Sequence, residues 1–148
     1  MNTLSLEYEQ DFQGWINQHI VLLKTGKVNE LDVEHLIEEL EDMGKSNIRE
    51  LESRLVILIA HLLKWQFQAT QQSGSWRGSI IEQRIQILRL LRKIPSLKRE
   101  LPNAVSDAYA DALKLAIKET KLPSTAFPTE CPYSIEQLLD EDFYPGSE

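Results

Sequence analysis

Between residues 51 and 65 the apolar side chains recur at the spacing of an α-helix. Leu51, Leu55, Leu58, Ile59, Leu62 and Trp65 form one stripe, and Val56, Ile57 and Leu63 widen it nearly all round. A helix places residues three and four apart on one side. One that is apolar on most sides must be covered by neighbours, so this element, predicted over residues 47–68, belongs at the centre of a bundle. No stretch shows sustained period-two alternation bounded by turn residues, which removes strands. The 148 residues suit a single hydrophobic core. The expectation is therefore an all-α fold, a single helical domain over residues 1–148. A bundle of about five main helices takes up residues 8–121, and residues 122–148 form an extended tail with a short C-terminal helix.

The other helices follow from the same periodicity. A first helix over residues 7–24 places Tyr8, Phe12, Trp15, Ile16, His19 and Leu23 on one face and ends at Thr25-Gly26-Lys27. Asp32 is a good N-cap for a second, over residues 33–43, whose expected buried side is Val33, Leu36, Ile37, Leu40 and Met43. The opposite side of that helix is almost entirely acidic. Gly44 followed by Ser46 suggests a break or kink before the central helix. A polar loop over residues 71–75 leads to a helix over residues 76–94, expected to bury Ile80, Ile81, Ile85, Ile87, Leu88 and Leu91. The fifth helix, from Ser96 to about residue 121, buries Val105, Ala108, Tyr109, Ala112, Leu113 and Ala116. Pro102 should kink it or split off its first turn, because proline cannot supply the N–H of a helix interior. Ser134 with Gln137 makes a capping box for the short last helix.

Charge narrows the function classes. The formal charge of −7 argues against a dedicated nucleic-acid binder. It is unevenly placed: residues 30–52 carry a net −7 and residues 77–99 a net +6. Two such segments attract each other within a fold or across a dimer. The longest apolar run, residues 55–63 (LVILIAHLL), is far shorter than the roughly 20 residues of a membrane span. The acidic first residues lack the pattern of a secretory signal, and one cysteine, Cys131, excludes an internal disulfide and a cysteine-rich metal site. A cytoplasmic protein without a membrane partner is expected.

Motifs for chemistry are sparse. Gly44-Lys45-Ser46 ends like a phosphate-binding loop, but Glu39 stands where the motif needs glycine and a helix precedes it instead of a strand. His19, His35 and His61 lie on three different helices without metal-ligand spacing, and no metal or cofactor is expected. Asp32-x-x-His35 is the nearest to a ligand pair. His35 reads as solvated on the acidic face, whereas His19 and His61 read as core-edge residues hydrogen-bonded to a neighbour. Arg84 falls within the apolar arc of its helix, and a buried guanidinium must be matched. Its partners are Glu39, Glu50 or Glu52, or backbone carbonyls at a helix end. If His61, Trp65, Arg84 and His19 converged, they would form a ligand pocket. Ser75, Trp76 and Arg77, at a helix N-terminus after Ser73-Gly74, form a candidate anion site. No serine, cysteine or lysine has an activating partner, so no catalytic residue is assigned.

Five segments occur in a distinctive order and spacing: ELDVEHLIEELEDMGKS (30–46), LESRLVILIAHLLKWQFQ (51–68), SWRGSIIEQRIQI (75–87), PSL (95–97) and FPTECPYSIEQLLDEDFYP (127–145). With them the chain resembles the bacterial family catalogued as domain of unknown function 29, abundant in cyanobacteria, from about Tyr8 to Pro145. Pro102 departs from an otherwise uninterrupted helix in that family. The resemblance implies a small, all-helical, cytoplasmic protein and brings no activity or catalytic residue. The leading expectation is a non-enzymatic interaction or regulatory module that binds a protein partner or itself as a homo-oligomer. The alternatives are a small-molecule, metal-binding or enzymatic bundle with a polar pocket around His61 and Arg84, and, third, weak nucleic-acid contact through residues 77–99.

Overall fold

The computed structural model describes residues 3–146, with side chains from Glu7 onward. Every regular element among them is helical. The chain divides into two compact units, residues 1–46 and 47–148. No helix among the described residues is long and apolar enough to cross a membrane.

The first unit opens with α1 (Thr3–Gln10) and α2 (Phe12–Lys24). The single helix expected over residues 7–24 is thus two, and Asp11 is the reason. Its side chain turns back to accept the N–H of Gly14 at 3.1 Å, so Asp11 caps α2 and stays outside the helix. A Cβ on Gly14 would lie 2.5 Å from that carboxylate, so the close approach requires glycine. Trp15, His19 and Leu22 are the buried face of α2, whereas Phe12 and Leu23, placed by periodicity on the same face as Trp15 and His19, are exposed. Gly26, at φ +73°, turns the chain after α2. A 3-10 turn, Val28–Glu30, then leads to α3 (Val33–Phe67).

At 35 residues α3 is one helix where the sequence suggested two. Gly44 does not break it: its backbone is not left-handed and nothing lies within 4 Å of where a Cβ would stand. Glycine lowers helix propensity by about 1 kcal/mol, which the surrounding leucines, glutamates and lysine outweigh. The second correction concerns burial. Val33, Ile37, Leu40 and Met43, expected in the core, are 56%, 51%, 65% and 63% exposed, and Leu36 is half-buried.

The second unit holds the hydrophobic core. Leu51, Leu55, Leu58, Ile59, Leu62 and Leu63 of α3 are fully buried, as the stripe predicts, while Trp65, Val56 and Ile57 are half-buried. After a 3-10 turn (Ala69–Gln71), α4 (Gly74–Lys93) adds Ile80, Ile87, Leu90 and Leu91. Ile81 and Ile85, expected inside, are 43% and 49% exposed, and Leu88 is half-buried. Burying a leucine-sized side chain contributes about 1.5–3 kcal/mol, so each residue of the rows from α3 and α4 adds substantially to the stability of this unit.

A 3-10 segment, Pro95–Glu100, precedes α5 (Leu101–Thr120). Pro102 sits in the first turn of α5, where a missing N–H has no helical acceptor to lose. The expected splitting is what the backbone shows. Ala104, Ala108, Ala112 and Ala116, four apart, form a buried row of small side chains. The tail begins with the turn Ser124–Ala126 and carries α6 (Ile135–Leu139), whose capping box of Ser134 and Gln137 is complete. Phe127, Tyr133 and Leu138 are buried, so the tail contributes its own residues to the core.

Candidate functional site

In the second unit Arg84 is the most deeply buried charged side chain described, at 1% exposure. Among the described residues it pairs with no carboxylate; each of its three nitrogens donates to a carbonyl of the tail. Nε donates to the carbonyl of Leu138 at 2.9 Å, Nη2 to that of Gln137 at 3.0 Å and Nη1 to that of Phe143 at 2.7 Å. The last carbonyls of a helix lack intrahelical donors, and the planar guanidinium supplies them for α6. Burial pulls the Arg84 pKa below its usual value, while charges at Tyr144, Asp140 and Glu141 resist that shift. Of the two alternatives the sequence left open, helix-end carbonyls are the ones used.

The tail also brings an aromatic ring among the residues of the candidate pocket. Tyr144 lies 5.0 Å from the ring of Trp65 and 5.6 Å from the guanidinium of Arg84, and Arg77 stacks over it at 4.8 Å. Trp65 and Arg84 therefore come together around a side chain of their own protein. His61 turns its Nδ1–H to the carbonyl of Ile57 at 2.9 Å, and burial lowers its pKa. His19 belongs to the first unit. Within the candidate anion site, Ser73 and not Ser75 caps α4, its hydroxyl accepting the N–H of Trp76 at 3.2 Å. Ser75 is exposed inside the first turn, the ring of Trp76 lies 4.8 Å from the Lys64 ammonium, and Arg77 is engaged by Tyr144. Lys64 is itself paired with Glu119 at 2.6 Å.

An open cleft of about 400 Å³ lies between the start of α5 and the tail, lined among others by Tyr109, Glu130, Cys131 and Tyr133. The Tyr109 hydroxyl donates to the carbonyl of Pro128 at 2.6 Å and that of Tyr133 to Gln66 at 2.8 Å. Burial pushes the Tyr109 pKa up to about 12 and raises those of Tyr133 and the Cys131 thiol. A thiol held protonated is a poor nucleophile.

The polar network of the first unit centres on Asp32. Its carboxylate accepts the indole N–H of Trp15 at 3.1 Å and the Nδ1–H of His35 at 2.7 Å. The backbone N–H of Asp32 donates to Nε2 of His19 at 2.9 Å, which places the histidine proton on Nδ1, where it meets the Trp15 carbonyl at 2.9 Å. His35 is not solvated as the acidic face suggested: it packs flat on Tyr8, ring centres 3.9 Å apart. The Tyr8 hydroxyl bonds to Glu39, which with burial pushes its pKa up to about 12. The hydrogen bond to Asp32 raises the pKa of His35 against the effect of burial, helped by the charges of Asp32, Glu38 and Glu34. Burial opposes ionisation of Asp32, but the bonds from His35 and Trp15 outweigh it and hold its pKa below the ordinary value. The i, i+3 spacing of Asp32 and His35 was the signal for this pair; nothing in sequence pointed to Tyr8 as their cover. No group of three or more metal-ligating side chains is placed to hold an ion among the described residues.

The surface of the first unit is its other feature. Alongside Val33, Ile37, Leu40 and Met43, the exposed apolar side chains include Ile20, Val21 and Leu23 of α2 and Val28. Exposed carboxylates at Glu34, Glu38, Glu41 and Asp42 flank the row on α3. Monomeric proteins scatter single apolar residues over their surface; here all the exposed large apolar side chains described except Ile81 and Ile85 lie on the first unit.

Fold and side-chain arrangement define an all-helical protein whose described buried polar side chains bond to backbone or side chains of their own chain. The chain belongs to the family described as Domain of unknown function DUF29, whose family model matches residues 7–144. No curated protein and no solved structure matches it.

Proposed function

We propose that this chain is a non-enzymatic interaction module whose contact surface is the acidic and apolar face of the first unit. The observation that carries the reading is the exposed row Val33, Ile37, Leu40 and Met43 on α3. Burying one such side chain on a partner contributes about 1.5–3 kcal/mol, and the flanking carboxylates select a partner of opposite charge. The reading of a pocket around His61 and Arg84 has less support. All three nitrogens of the Arg84 guanidinium are used on the tail, His61 Nδ1 is used on Ile57, and Tyr144 packs against Trp65 and Arg84.

A photoreactive amino acid at position 40, introduced into the protein in living cells, tests the reading. The expected result is one cross-linked species of defined mass that is lost when Ile37→Asp is added. No cross-linked species above that of a control position on α5, such as Asp111, would discard the interaction role for this face.

A further inference from the structure

We propose that the partner of this face is a second copy of the same chain, which docks on it with the exposed stripe of α4. The inference rests on the interaction reading above and names its partner. The support is charge complementarity together with matched spacing. On α4, Ile81 and Ile85 are exposed and are followed one turn on by Arg89, with Arg92 and Lys93 beyond, all exposed. On α3, Val33 and Ile37 are exposed and are followed one turn on by Glu41, with Asp42 beside it. Both stripes place two apolar residues and then a charge at i, i+4 and i+8, which is one helix face. Laid side by side in register, Val33 and Ile37 of one copy meet Ile81 and Ile85 of the other, and Glu41 meets Arg89, with Asp42 and Arg92 adding to the opposite charges around that pair.

A contact of α3 on α3 would set Glu34, Glu38, Glu41 and Asp42 against their own copies, which repel. A contact of α4 on α4 would do the same with Arg89, Arg92 and Lys93. The contact of α3 on α4 avoids both, and because each copy carries both stripes, a twofold pair makes it twice. The uneven charge along the chain, net −7 over residues 30–52 and +6 over residues 77–99, then serves recognition between copies.

Charge exchange tests this on the full chain. The wild-type protein, followed by sedimentation velocity from about 1 to 200 µM, is expected to show a dimer. The double variant Glu41→Lys/Asp42→Lys and the double variant Arg89→Glu/Arg92→Glu should each dimerise at least tenfold more weakly. All four positions are exposed, so unchanged far-ultraviolet dichroism verifies the fold. An equimolar mixture of the two variants should regain the dimer, because one contact then has both signs inverted and the other is native. A wild-type monomer throughout, a dimer indifferent to the substitutions, or a mixture that does not recover would each overturn the proposal. A monomer that still cross-links from position 40 to a different protein would sink the second-copy partner alone and leave the interaction role standing. A monomer without any cross-link would sink both.

Discussion

At the scale of single residues, Arg84 and the pair Asp32–His35 show how this chain uses its buried polar groups. Arg84 gives one donor to each of three carbonyls. Replacing it by methionine keeps most of the volume and leaves three acceptors without donors, at about 1 kcal/mol each. Arg84→Met should therefore lower stability by about 3 kcal/mol, read as a fall in the urea midpoint. Arg84→Lys, with a single ammonium, should recover only a minor part. A midpoint unchanged by either substitution would contradict the role given to this side chain. For Asp32–His35 the sign of the pH effect follows from the two shifts. His35 has its pKa raised, so its contribution is present below about 6.5 and is lost as pH climbs through the folded value. Asp32 has its pKa lowered, so its contribution is present above about 4 and is lost as pH falls through the folded value. Amide exchange at residues 33–36 should then be slowest between about pH 4 and 6.5, after correction for intrinsic rates. His35→Gln should remove the loss on the alkaline side.

At the scale of elements, α3 shows what periodicity conveys and what it does not. The stripes 33–43 and 51–65 look alike in sequence, and both were expected inside. Leu51, Leu55, Leu58 and Leu62 are, whereas Val33, Ile37, Leu40 and Met43 are not. A helical repeat fixes which residues share a face; what covers that face depends on tertiary contacts. Ile81 and Ile85 are exposed despite their helical periodicity for the same reason. Boundaries were legible where a side chain closes the helix, as with Ser134 and Gln137 or with Asp32. The boundary at Asp11 was not, because a carboxylate folding back on Gly14 leaves the hydrophobic pattern untouched. Of the candidate site, the burial of Arg84 was readable from its place among isoleucines and leucines. Its partners lie 53 to 59 residues further on, and no local pattern reports them. Gly44 does not break α3. Because a Cβ meets nothing there, Gly44→Ala should stabilise the protein by about 0.5–1 kcal/mol, measurable as a higher thermal midpoint. Gly26→Ala, at φ +73°, should do the opposite.

At the scale of the whole molecule, the net charge of −7 conceals two segments of opposite sign, and association built on them must respond to salt. The screening length falls from about 10 Å at 0.1 M to about 3 Å at 1 M salt. Dimerisation of the wild-type chain should therefore weaken by several-fold over that range, followed by light scattering at fixed protein concentration. Strengthening with salt would point instead to a contact made by apolar surface alone. The grip of Arg84 on the carbonyls of residues 137, 138 and 143 has a further bearing, on how the protein is made. A ribosome that has just added Arg84 must add more than fifty residues before the acceptors exist, which takes several seconds at roughly 5–20 residues per second. During that interval the nascent chain holds α4 with an unmatched cation on its apolar side. The contacts of Arg84 can form only once residues 137–143 have been synthesised and have emerged, so a translational pause before them prolongs the time the growing chain spends without them.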